Sequence, residues 1–350
     1  MGLFSKSDNS FLGVDIGDSS LKMVELEKRG KKIYLTNYAF SENVSDVNFT
    51  KIEDSAYLAK AINKVRNEAN ISAKKVTASL PTFAVFSSII NLTGVDKKNL
   101  TDQVLEEAKK VIPLPLEEMK IDFKVIPETA DNKAVKSNVR VFLTCSPRKI
   151  VRKYIDVFKL AGLELSYLET ETFSLVRSLI GNDKSTIMIV EIGANSTDIS
   201  VVRESIPVLN RSLEICGTTI TKALMEKMEL TFAQAEQFKL DMSLDGANII
   251  GSDLPPVVVK AIAPILSEIK YMLDFYNMSN QKPIEKLVLS GGSALLLNLS
   301  SYLSDKLNLQ VVVGDPFNRV TYSDELRPII REIGPKLAVA VGLALRDIEN

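Results

Sequence analysis

"FLGVDIGDSSLKMVEL", residues 11–26, is an apolar strand that ends on Asp15 and Gly17, turns through Asp18, Ser19 and Ser20, and returns in a second strand carrying Lys22. Asp and Gly are common turn residues, so one such hairpin decides little. The pattern returns in "IMIVEIGANSTDISVVR", residues 187–203. There Glu191 falls over Asp15 and Gly193 over Gly17, 176 positions later, with Ala194, Asn195 and Ser196 in the turn. An internal repeat of this kind predicts two similar lobes, each presenting an acid–glycine turn. A third element is "LVLSGGSALLLNLSSYL", where Gly291, Gly292 and Ser293 close a buried strand and lead into a helix. Glycines there let backbone approach a flat or anionic ligand, and a helix N-terminus favours negative groups.

Two facing glycine turns offer backbone N–H groups to a polyphosphate from both sides. Lys22 adds a charge-assisted contact, while Asp15 and Glu191 are hard oxygen ligands suited to a hydrated Mg²⁺. Phosphate held between two lobes is therefore the expected chemistry. GxxxxGK[ST] and GxGxxG are both absent, which removes the P-loop and dinucleotide-binding solutions.

The bulk properties agree. At 350 residues the chain exceeds what one hydrophobic core usually serves, so two lobes are expected. A net charge of -1 supplies no global field for nucleic acid. The absence of histidine excludes Ser-His-Asp and Cys-His catalysis and every His-ligated metal site. Cys145 and Cys216 are too far apart for a CxxC pair and read as reduced, buried small hydrophobes. No apolar run approaches the roughly 20 residues of a membrane span. "MGLFSK" reads as a short loose arm whose Leu3 and Phe4 are free to touch a partner or a bilayer surface.

Between the hairpins, periodicity predicts a strand at 31–40, a helix at 54–70, strands at 74–81 and 83–92, and a helix at 100–112 with Thr101 as its N-cap. A strand pair at 119–128 and 137–146 and a helix at 148–163 follow. Residues 76–147 thus read as a ββαββ-like insert within the first lobe. After the second hairpin come helical segments from 218 to 280, a strand at 285–290, a helix at 295–307, a strand at 309–313 and a closing helix with small residues.

The three motifs, in this order and spacing, resemble the phosphate-1, phosphate-2 and adenosine motifs of the actin, Hsp70 and sugar-kinase superfamily. The insert resembles subdomain 1C of FtsA and PilM. "EEAKKVIPLPLEEMKIDF" (106–123), "EIGPKLAVAVGLALR" (332–346) and the opening stretch are similar to the type IV pilus assembly family PilM, over almost the whole chain. The resemblance implies an α/β, two-lobed actin-like, ribonuclease H-like fold with an inserted 1C subdomain. In that scheme 1–75 and 148–185 form subdomain 1A, 76–147 forms 1C, 186–217 and 286–332 form 2A, 218–285 forms 2B, and 333–350 returns to 1A.

It also implies ATP and Mg²⁺ as cofactors. Asp15, Gly17, Asp18, Ser19, Ser20 and Lys22 fall on phosphate-1, and Glu191, Gly193, Ala194, Asn195 and Ser196 on phosphate-2, where Glu191 replaces the usual Asp and Ala-Asn replaces two glycines. Gly217 of "ICGTTITKAL" would lie beside the nucleotide, Glu236 and Lys239 of "AEQFK" would reach the ribose and adenine edge, and Gly291, Gly292 and Ser293 would complete the base side. Read without the family, AExxK is equally a surface i, i+3 salt pair. Glu171 in "LETETFSLVRSL" takes the place of the residue that orients attacking water, although Glu169 is equally acidic and either reads as a solvated loop carboxylate.

The implied function is a cytoplasmic, ATP-binding protein at the inner face of the membrane, with slow or no hydrolysis. It would bind the N-terminal peptide of the inner-membrane protein PilN in a 1A/1C groove and link the membrane complex to assembly motors, with self-association open. A small-molecule kinase would need a cleft set of substrate-binding residues that is not found. An FtsA-like polymerising ATPase would be expected to end in an amphipathic membrane helix, where this sequence ends at "LALRDIEN".

Overall fold

The computed structural model describes residues 9–42, 52–95, 99–112, 114–126, 138–244, 254–279 and 282–349. The opening arm, the core of the polar loop at 127–137 and the interruption at 245–253 lie outside them. Two five-stranded sheets carry the chain. The first contains β1 (Ser10–Ile16), β2 (Ser20–Arg29), β3 (Lys32–Glu42), β4 (Lys75–Leu80) and β8 (Glu164–Thr170), in the order β3-β2-β1-β4-β8. The second contains β9 (Ile187–Ile192), β10 (Thr197–Arg203), β11 (Ile206–Leu213), β12 (Lys286–Ser290) and β13 (Gln310–Val313), in the order β11-β10-β9-β12-β13.

The sheets are copies in topology as well as in sequence. Each has an antiparallel three-strand meander followed by two parallel strands. Both second strands shift register against the third at the same repeat position, between Glu25 and Leu26 and between Val201 and Val202. Antiparallel strands need only tight turns, whereas the parallel strands require crossovers, and the helices lie there. The inner parallel strands β4 and β12 read as nearly continuous buried runs.

On one face of the first sheet lie α1 (Ser55–Glu68) and α3 (Arg148–Leu160), whose Leu58, Ile62, Val157 and Phe158 meet Leu12, Val14 and Val76. In the insert α2 (Leu100–Val111) follows β5 (Phe86–Leu92) and packs with it and with β6 (Met119–Ile126) and β7 (Val139–Pro147). The second sheet carries α5 (Gly217–Met228), α6 (Phe232–Leu244), α7 (Pro256–Ser279) and α8 (Leu299–Leu307). Between the two sheets lie the short α4 (Glu171–Leu175), its π-helical continuation Val176–Ile180, and α9 (Arg327–Glu349).

The helix α9 joins the lobes because small residues let backbone meet backbone. A methyl group on Gly13 of β1 would stand 2.0 Å from Ala340 O, and one on Gly342 would stand 2.0 Å from Ser174 O. Neither contact admits a Cβ without moving a strand or a helix.

Three expectations are revised. The strand at 74–81 is β4, hydrogen-bonded between β1 and β8, so it belongs to the first lobe, and among the described residues the insert sheet is β5-β7-β6. A buried apolar strand carries no mark of which sheet it joins. Thr101 lies inside the first turn of α2, whose N-cap is Asn99. The Gly291–Gly292 turn leads into a 3-10 turn, Gly292–Leu295, and α8 begins only at Leu299, so no long helix points its N-terminus at the glycines.

Gly13→Ala and Gly342→Ala should each destabilise the chain by about 3 kcal/mol or more, since overpacking against backbone has no flexible side chain to absorb it. Urea unfolding followed by circular dichroism measures this; an unchanged midpoint in both variants would refute the packing argument.

Candidate functional site

The two hairpin turns close identically. Gly17 N donates to Ser20 O at 3.0 Å and Gly193 N to Ser196 O at 2.9 Å. Asp18 and Ser19 are half-buried, while Ala194 and Asn195 at the tip of the second turn are exposed. The repeat differs in what stands opposite each acid. Asp15 pairs across the ladder with Lys22, whereas Glu191 pairs with Asp198.

Asp15 is buried with both oxygens engaged, Oδ2 by Lys22 Nζ at 2.9 Å and Oδ1 by Ser79 Oγ at 2.9 Å. Burial opposes the charge on Lys22, but Asp15, Glu191 and Glu171 overcome it and raise its pKa. Asp15 thus holds and orients the lysine. Burial pushes Glu191 up to about 8, against the pull of Lys22 and with the further push of Asp15 and Asp198. Asp198 is raised by burial, opposed by hydrogen bonds from Ser212 and Ser196, and its Oδ1 is buried with no hydrogen-bond partner. Glu171, at the first position of α4, is raised well above its ordinary value by burial and by Asp15, Glu191 and Asp198. Its Oε2 accepts a hydrogen bond from Thr82 Oγ1 at 2.6 Å.

These interactions show that acids from both hairpins and from α4 share one cleft. Glu169 does not belong to it, nor is it a solvated loop carboxylate. It is buried, paired with Arg177 at 2.6 Å and with Arg346, and accepts from Ser174 Oγ at 2.8 Å.

On the second lobe the start of α5 abuts the second turn, with Gly217 N donating to Gly193 O and Thr218 N to Ala194 O, both at 2.9 Å. Thr218 Oγ1 also reaches Ala194 O at 2.6 Å and Asn195 Oδ1 at 3.3 Å. A Cβ on Gly217 would stand 2.9 Å from Ser293 Oγ, so the third motif lies directly alongside. Gly291 has φ +83° and its place for a Cβ is 2.4 Å from Ile192 O, a position that only glycine fills. Glu236 and Lys239 are joined at 2.7 Å, and the pair turns inward: Lys239 Nζ donates to Thr221 Oγ1 at 2.8 Å and to Gly217 O at 3.3 Å, and Thr221 Oγ1 bonds Glu236. It is anchored on α5 rather than lying as a simple surface pair.

Sequence reasoning missed several members. Asp198 stands at the repeat position of Lys22 and was legible from the 176-residue offset. Ser79, Thr82 and Thr221 had no signal, because a lone hydroxyl in an apolar stretch looks like any other. Tyr154 of α3 is buried with its hydroxyl unpartnered, and burial with Glu171, Asp15 and Asp18 nearby holds its proton firmly. Lys336 of α9 lies with Cε 3.6 Å from where a Cβ on Gly292 would be, and its Nζ is 6.0 Å from the ring of Phe40.

The donor set fits a hydrated magnesium–phosphate group. Around Lys22 four acids converge, Asp15, Glu171, Glu191 and Asp198, a balance that repels a bare polyphosphate and suits one that brings its own cations. Asp198 keeps an unsatisfied buried oxygen for such a partner. Among the described residues no three acids are close enough together to grip an ion directly. Asp15, expected to share the magnesium with Glu191, has both oxygens taken by Lys22 and Ser79, so Glu191 and Asp198 are the acids that would face a hydrated ion, with Lys22 on the phosphate.

Twin sheets with facing turns define the actin-like ATPase fold, and the comparisons agree. The crystal structure of EutJ from Carboxydothermus hydrogenoformans superposes with a TM-score of 0.56 at 15% identity, over 97% of this chain and 90% of that one. MreB5 of Spiroplasma citri bound to AMPPNP gives 0.54 at 12% identity, over 98% and 97%. Within that class the chain belongs to the family described as type IV pilus assembly protein PilM, whose profile matches residues 13–348. A solved PilM–PilN type IV pilus biogenesis complex superposes with a TM-score of 0.80 at 26% identity, over 97% of this chain and 98% of that one. Cell division protein FtsA of Streptococcus pneumoniae serotype 2 (strain D39 / NCTC 7466) is 24% identical over 347 residues, 87% of this chain and 75% of that protein. Among the described residues no helix is long and apolar enough to cross a membrane.

Glu191 sits near 8 in the folded chain against an ordinary 4.5, so its contribution to stability is full below pH 4.5 and is lost as pH rises through 8. In EDTA, Glu191→Gln should therefore melt at a higher temperature than the parent at pH 9 and at nearly the same temperature at pH 5. A thermal scan at both values checks this, and equal melting at pH 9 would contradict the assigned environment.

Proposed function

We propose that the chain is a nucleotide-gated adaptor of type IV pilus assembly, working in the cytoplasm at the inner face of the membrane. Mg-ATP lies between the lobes and sets their relation. A groove between the first lobe and the insert, subdomains 1A and 1C, takes the short N-terminal peptide of a PilN-type inner-membrane protein. The adaptor thereby links the membrane complex to the assembly motors. The observation that carries the nucleotide reading is the convergence of Lys22, Asp15, Glu191 and Asp198 from two copies of one hairpin. The peptide reading is supported by the solved PilM–PilN complex and by the insert sheet, whose outer strands β5 and β6 leave edges on which an extended peptide can dock.

Lys22 contacts phosphate, Gly17 to Ser20 and Gly193 to Ser196 supply the cradle, and Gly217, Glu236, Lys239 and Gly291 to Ser293 flank the nucleoside. Glu171 orients water, and turnover is slow or absent.

Lys22→Ala should weaken Mg-ATP binding about tenfold or more, the worth of a charged hydrogen bond. Calorimetry tests this together with the adaptor reading: a PilN-type N-terminal peptide should bind, and its affinity should change when Mg-ATP is added. A correctly folded Lys22→Ala protein with parental affinity would refute the site. A peptide that fails to bind, beside clear phosphate transfer to a small alcohol or sugar, would make the chain a kinase.

A further inference from the structure

The first turn of α4 touches the insert from inside the cleft. Glu171 accepts the hydrogen bond of Thr82, and Thr82 opens the 3-10 turn Thr82–Ala84 that connects β4 of the first lobe to β5 of the insert. That turn is closed by Ala84 N to Pro81 O at 2.9 Å and Val85 N to Thr82 O at 3.1 Å. Two residues along α4, Phe173 meets Phe142 of β7 edge-to-face, with centroids 5.1 Å apart at 84°. The insert also reaches the second lobe, where Asn210 Nδ2 of β11 donates to Ser87 Oγ of β5 at 3.2 Å.

One cleft carboxyl is therefore shared between two demands. It is held by a hydroxyl on the connector and crowded from the cleft side by Asp15, Glu191 and Asp198, where a ligand that carries cations would draw it. We propose that Thr82 is a positioning residue that holds Glu171 on the connector when the cleft is open and releases it when Mg-nucleotide enters, loosening the entry to the insert. The proposal rests on the nucleotide reading above and extends it to the regulation of the peptide-binding part. Phe142–Phe173 keeps α4 against the insert in both conditions, so the change is confined to the connector and β5. Because coupling is reciprocal, whatever binds the insert and favours the loosened connector also favours nucleotide.

Hydrogen–deuterium exchange of the full chain at residues 82–92, with and without saturating Mg-AMPPNP, tests this, with nucleotide binding followed separately by fluorescence of a labelled ATP. The parent should exchange about fivefold faster in this segment when nucleotide is bound, the lower end of ordinary coupling. Thr82→Val should exchange fast already without nucleotide and should not respond. Thr82→Ser, which keeps the hydroxyl, should behave as the parent. Thr82→Ala replaces the valine variant should the latter fail to fold. Nucleotide binding with no response in the parent, or a full response in Thr82→Val or Thr82→Ala, would overturn the latch alone. Absence of nucleotide binding in the parent would overturn the site reading and the latch together.

Discussion

The arrangement of the cleft depends on the backbone contacts of α9. This helix lies against β1 at Gly13 and against α4 at Gly342, with no side chain between the main chains at either point. Such contacts set how near α9 comes to β1 and to α4, while its Ala338, Val339 and Leu343 pack with Ile187, Ile189 and Val288 of the second sheet. Pro335 helps on the second side, since its carbonyl accepts from Gly291 N at 3.1 Å and from Ser290 Oγ at 3.3 Å. The helix that joins the lobes thus also seats the third motif.

The electrostatics follow from this geometry and from the asymmetry of the repeat. Where the first hairpin sets Lys22 opposite its acid, the second sets Asp198, so duplication produced one neutralised and one uncompensated acid pair. Burying several carboxylates around one lysine is costly, and the raised pKa values of Glu171, Glu191 and Asp198 are the form that cost takes. A ligand that supplies cations relieves it. Under the proposed function the fold would gain stability from that ligand.

The twin hairpins were legible because their chemistry repeats at a fixed offset, and the helices because their apolar spacing is regular. The assignment of β4 was not, since a run such as "KVTASL" has equal claim on any sheet until its neighbours are known. At 291 and 292 the close approach is of backbone to backbone, Gly291 against Ile192 O, and not a helix start: "SALLLNL" has helical spacing, but Asn298, at φ +60°, breaks it. The distinction between Glu169 and Glu171 was out of reach: they lie two positions apart, and only the fold sends one to Arg177 and Arg346 and the other to Thr82. The anchoring of Lys239 on Gly217 likewise depends on the meeting of α5 and α6.

The central claim is that both hairpins hold one nucleotide. Amide exchange at 17–20 and at 193–196, followed across a titration with Mg-ATP, tests it most directly. Protection should rise in both turns with a single shared midpoint. Protection of one turn alone, or two different midpoints, would contradict the account.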